Sequence, residues 1–159
     1  MTKRNLSIIQ LIISVITAIL LYVDGMFIWR AWDVPYGTNQ VESPLSFNNV
    51  FGTQLDLGFF NVLMVLLIVV CAIVSIIVIF KRVDKLDKKY MIILPAITLI
   101  LFVILGIYAN SYIGTSTYMG MARHYGPSLN ILFYIEAILL AANVFIECAK
   151  HFIEMPYSK

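Results

Sequence analysis

The chain has 159 residues, 61% of them hydrophobic and 13% charged, and a mean hydropathy of +0.91. A soluble globular domain holds about 45–50% apolar residues, so water is excluded as the main solvent. The formal charge of +2 comes from Lys and Arg gathered in short clusters, which excludes the basic surface stripe that nucleic-acid binding needs.

A hydrocarbon core about 30 Å thick is crossed by about 20 helical residues. Four apolar runs reach that length, at 6–26, 57–80, 91–112 and 128–148. They predict an all-α integral membrane protein, a four-transmembrane-helix bundle built of two hairpins. A single four-span domain then fills 1–159, with outer loops at 27–56 and 113–127 and a cytoplasmic link at 81–90. The first run follows MTKR, which is how a signal peptide opens. It continues to Val23 and meets Asp24 and Gly25 without a small-x-small cleavage site, so it is read as an uncleaved span. Its outer end carries Asp24, whose position allows its head to reach the interface.

The first outer loop opens with FIWRAWDVPYG. Trp29, Trp32 and Tyr36 suit the aromatic belt at headgroup level, and Pro35, Gly37, Pro44 and Gly52 punctuate the loop as turn signals. Val50, Phe51 and Leu55 need cover from water, so the loop is expected to be partly folded and to return onto the helices. Asp56 is placed to cap the second span. That span carries Asn61 and the mid-span Cys71; with Cys148 at the inner end of the fourth span, the cysteines lie at different depths and form no redox or metal pair.

The link KRVDKLDKK carries Lys81, Arg82, Lys85, Lys88 and Lys89. With Lys3, Arg4, Lys150 and Lys159 it puts nine cations on one side against Arg30 and Arg123 on the other. Cations beside spans are retained in the cytoplasm, so both termini are expected there. The clean charge bias and high isoleucine content point to a prokaryotic cytoplasmic membrane. The third span holds Thr98 and an early Pro95, either a kink or part of the first turns. Beyond it, the second outer loop is rich in Tyr and Gly and carries the polar pair Arg123 and His124, and Gly126-Pro127 suits the start of the fourth helix.

The fourth run contains the feature that most needs an explanation, the carboxylate Glu136. Glu136, Asn143 and Glu147 are seven and four residues apart, which aligns them as one helical stripe. Eleven Leu, Ile, Phe and Val residues from Leu129 to Cys148 each favour insertion by about 0.3–0.6 kcal/mol. A central acid opposes it by about 2.5–3.5 kcal/mol. The span inserts with little margin. No Lys or Arg of this chain lies at that depth, so Glu136 is expected to be the neutral acid, hydrogen-bonded to Thr17, Asn61 or Thr98. Three roles stay open: an interhelical tie, a proton-carrying or cation-binding carboxylate, or one half of a pair with a basic residue of another subunit.

Two tetraspan families share parts of this layout. Four short spans with one buried glutamate are similar to small multidrug-resistance exporters, whose carboxylate lies in the first span, where this chain has no acid before Asp24. A larger first outer loop with Trp29 and Trp32 just beyond the first span is similar to the claudin-like layout. That family's loop carries a cysteine pair and this one has none, so neither resemblance carries residues over.

No Ser/His/Asp arrangement, zinc helix, phosphate loop or cluster of metal ligands is legible, and His124 and His151 fall at opposite faces. The reading is a non-enzymatic accessory, assembly or regulatory subunit without cofactor or metal, whose partners are the bilayer and other membrane subunits or copies of itself. The alternative is an oligomeric small transporter or channel that uses Glu136 for proton or cation coupling.

Overall fold

The computed structural model describes residues 3–34, 41–81, 88–118 and 121–153. The turn signals Pro35 and Gly37, the belt residue Tyr36, and the cations Arg82, Lys85 and Lys159 lie outside the described residues. Four helices are long and apolar enough to cross a membrane: α1 (Lys3–Leu20), α3 (Gly58–Lys81), α4 (Lys88–Ser111) and α5 (Ile131–Ile153). A short α2 (Phe47–Asn49) runs into a π-helical turn, Val50–Gln54.

Their surfaces reverse the arrangement of a water-soluble protein. Large apolar side chains face outward, among them Ile19, Phe59, Ile104, Ile138 and Phe145, the last 74% exposed. Ser7, Gln10, Ser14, Thr17, Ser75, Thr98 and Glu136 are buried. In water, a continuous apolar exterior of this size would associate; in lipid it is the face that needs no partner. This is the pattern of a multi-pass membrane protein.

The expectation of an all-α chain is corrected by a four-stranded antiparallel sheet of order β2-β1-β4-β3. Its strands are β1 (Phe27–Val34), β2 (Val41–Leu45), β3 (Gly114–Tyr118) and β4 (Met121–Leu129). Both of the segments expected to be outer loops contribute. β1 and β4 join them along a register from Phe27↔Leu129 to Val34↔Ala122, while β2 pairs with β1 and β3 with β4. The aromatic and branched residues of FIWRAWDV are as good for a strand as for a headgroup belt, and their partner strand lies about a hundred residues away in the sequence.

The same finding moves three boundaries. α1 stops at Leu20, not Met26, because the chain turns through Gly25 at φ +112°, a conformation glycine adopts without cost. The Gly25 N–H donates to the Leu45 carbonyl and the Asn48 N–H to that of Leu21, tying the turn to the returning loop. Gly126-Pro127, expected to start the fourth helix, is instead inside β4. β3 stops pairing at Tyr125, so Pro127 sits where one flank of β4 has no partner strand and its missing N–H is tolerated. Asn130 then sets the start of α5, its N–H and Nδ2 donating to the carbonyls of Met26 (3.1 Å) and Gly25 (2.8 Å). Asp56 has φ +53°, and Leu57, not Asp56, is the residue next to α3.

The sheet is fastened to the helices by phenylalanines. Phe27 of β1, Phe47 and Phe51 of the returning loop, Phe102 of α4 and Phe133 of α5 are buried in one core cluster. Phe102 and Phe133 stack at 4.6 Å and 14°, and Phe47 and Phe51 lie 4.4 Å apart. Val50 and Phe51 are fully buried, so the loop does return onto the helices. The helices touch in the cyclic order α1–α3–α4–α5–α1. Gln10 meets both Ser75 and Lys150, which puts the start of α1 and the ends of α3 and α5 together, opposite the sheet.

Candidate functional site

The interior between the sheet and that opposite end is polar along two facing stripes. On α1, Ser7, Gln10, Ser14 and Thr17 follow at steps of three, four and three residues, and all are at most 3% exposed. On α5, Glu136, Asn143, Glu147 and Lys150 follow at steps of seven, four and three, with Glu136 at 0% and Lys150 at 6%. Steps of three and four keep side chains on one helical face, and α1 packs against α5.

At the end away from the sheet the polar groups are joined. Lys150 Nζ donates to Glu147 Oε2 at 3.0 Å and to Gln10 Oε1. Ser75 Oγ of α3 lies 3.2 Å from the same Gln10 oxygen and 2.9 Å from the Cys71 carbonyl. A buried charge pair survives only when further hydrogen bonds satisfy both ions, and Gln10 supplies one of them.

Nearer the sheet the pattern changes. Both carboxylate oxygens of Glu136 are buried without a hydrogen-bond partner among the described residues, as are Asn143 Oδ1 and Ser14 Oγ; Ser7 Oγ, one turn beyond Gln10 at the far end of α1, is likewise unpartnered. The three groups expected to hold Glu136 bond elsewhere: Thr17 Oγ1 donates to the Ser14 carbonyl at 3.0 Å, Thr98 Oγ1 to that of Leu94 at 2.9 Å, and Asn61 Nδ2 to Asn48 Oδ1. The two threonines bond to their own helices, which is the usual habit of hydroxyls there, while Asn61 reaches the returning loop and its Oδ1 is itself buried without a partner.

The chain matches no protein-family model, no curated protein and no solved structure.

The outer candidates do not join this interior. Asp24 is exposed and accepts from Asn49 Nδ2 at 3.3 Å. Arg123 and His124 lie side by side on β4, in register with Asp33 and Trp32 of β1. Among the described residues no three His, Cys, Asp or Glu side chains converge as metal ligands do. Sequence reasoning missed the α1 stripe and Lys150. The 7-10-14-17 spacing was the available signal for the first, and the three-residue step from Glu147 for the second.

Proposed function

We propose that this protein is a non-enzymatic accessory or regulatory subunit of a membrane protein complex, docking its partner on the sheet. The observation that carries this reading is the sheet itself. Two outer segments separated by two spans are built into one surface and anchored to the helices by five phenylalanines. Its edges are β2 and β3, and β3 presents exposed Thr115, Ser116 and Thr117. An edge strand offers its outward N–H and C=O groups to another strand. β2 has Pro44 on its edge, a residue that discourages such pairing, so β3 is the docking edge.

Alternate residues of an edge strand direct their N–H groups outward, so one of Ser116→Pro and Thr117→Pro blocks docking and leaves the β3–β4 pairing intact. The test is purification in mild detergent. The expected result is a larger heteromeric complex for the natural chain, lost in the docking variant while the helical signal is kept. A complex that survives both substitutions rejects docking on β3.

A second reading is favoured by one observation, the complete burial of Glu136 with neither oxygen bonded. It is the oligomeric transporter or channel, with Glu136 coupling to protons or cations. This reading requires a homo-oligomer whose pH-dependent flux in liposomes is lost in Glu136→Gln. Both readings place the termini and the basic link in the cytoplasm of a prokaryotic cell, on the charge bias.

A further inference from the structure

The unpartnered groups on the facing stripes of α1 and α5 form a series, and Asn61 Oδ1 on α3 is a further buried, unpartnered atom outside those stripes. From the end away from the sheet they run Ser7 and Ser14 on α1, then Asn143 and Glu136 on the facing stripe of α5, each at most 2% exposed. Buried polar atoms without a protein partner are where internal water is held, bonding two to four such groups at once. Here they span two helices in contact, and the series begins beside Gln10, Glu147 and Lys150.

Toward the sheet the α5 stripe meets a block of phenylalanines. Phe102 stacks on Phe133, Phe27 tilts against Phe133 at 5.9 Å, and Phe47 stacks on Phe102 at 5.7 Å. All are 4% exposed or less. Phenyl rings offer water no strong partner, so this block stays dry.

We propose that Glu136 is a proton-binding site served by internal water from the end bearing Lys150 and closed toward the sheet by the aromatic block. The ligand is a proton and not a metal ion, since one carboxylate, one amide and isolated hydroxyls do not make the oxygen cage a hard cation needs. An ionised carboxylate buried without a cation is strongly disfavoured, whereas a bound proton removes the charge. The surroundings contribute no competing charge. Between Asn5 and Leu20 α1 has no ionisable side chain, nor has α4 between Met91 and Ile107. α3 contributes Cys71 and, at its far end, Lys81, and α5 itself contributes Tyr134 two residues toward the sheet, exposed on its outer face, and Glu147, Cys148, Lys150 and His151 about three turns or more toward the other end. The inference goes beyond the second reading because it needs no flux: a proton site open to one side also serves a subunit that senses pH.

The test is infrared spectroscopy of the full chain in sealed, uniformly oriented vesicles. A protonated carboxyl stretch that is missing in Glu136→Gln is expected. It should shift on transfer to D2O, and its intensity should follow the pH on the Lys150 side and ignore the pH on the sheet side. Absence of such a band, a band inert to D2O, or an equal response from both sides overturns the proposal. Should Glu136→Gln fail to fold, Ser14→Ala and Asn143→Leu give the deciding measurement. Each removes a water partner and should slow deuteration of the band at least tenfold; an unchanged rate overturns the water path.

Discussion

Gly106 lies under the ring of Phe133, and a methyl group added there would run into the ring atoms Cζ and Cε2. In Gly106→Ala the ring must therefore leave its place between Phe102 and Phe27. That forfeits two aromatic contacts of about 0.5–1.5 kcal/mol each and adds overpacking strain of about 1–3 kcal/mol. The Ala gain of about 1 kcal/mol in helix propensity offsets part of it, leaving a net destabilisation of about 3 kcal/mol. Phe133→Ala alone is expected to cost about 3 kcal/mol, the low end for a buried Phe, because packing and not transfer from water holds helices together in lipid. The decisive quantity is the double variant. With the ring gone the three atoms nearest the added methyl are gone too, so Gly106→Ala in a Phe133→Ala background should be neutral or stabilising by up to about 1 kcal/mol. Reversible unfolding in mixed detergent, followed by tryptophan fluorescence, gives all four free energies. Equal costs of Gly106→Ala in the two backgrounds would refute the close approach of α4 and α5 at this point.

Lys150→Met leaves Glu147 buried and unpaired and is expected to cost about 3–5 kcal/mol, while Glu147→Met with Lys150→Met should restore most of that stability; the same unfolding assay reads both. Gly126→Ala brings a methyl group against the backbone carbonyl of Tyr112, which cannot rotate away as a side chain can. We expect a loss of about 1–3 kcal/mol, seen as a lower thermal midpoint. Phe145→Ala, on the exposed face of α5, should change stability by less than about 0.5 kcal/mol and serves as the control. Compartment-specific reporters fused to the two ends should give the same signal; opposite signals would refute the shared side of the termini.

The four helices were legible because each is a local property: a run of apolar residues long enough to span lipid makes its own hydrogen bonds. Their ends were less so. Met26 and Ser128 looked like parts of spans, yet Met26 follows a glycine turn and Ser128 lies inside β4, whose partner β1 is remote in the sequence, and only the pairing of Phe27 with Leu129 decides between helix and sheet. The Glu136, Asn143 and Glu147 stripe was legible from its spacing alone. The matching stripe on α1 had an equally plain spacing, but Ser7 and Ser14 are small enough to pass as packing residues and Gln10 sits close to the chain start. Lys150 counts among the orientation charges when read along the sequence. Its burial depends on Gln10, 140 residues away, which no local pattern carries.

The enclosure of Glu136 narrows what a lone carboxylate can do in this protein. Pairing with a cation of another subunit requires the group to face the lipid side of α5, where Ile138 and Phe145 are exposed; Glu136 faces the opposite way and has no exposed surface. Serving as an interhelical tie requires a hydrogen-bond partner, and neither Glu136 oxygen has one among the described residues, while Thr17, Asn61 and Thr98 bond elsewhere. Insertion of an acid that does neither costs a few kcal/mol, and that cost is what leaves the span little margin. A leucine at 136 would remove that cost with a side chain of similar size. If the carboxylate serves only as filling, Glu136→Leu should raise stability and leave function intact. If it holds a proton, the same substitution should raise stability and abolish the response to pH, so stability and function must part company at this one position.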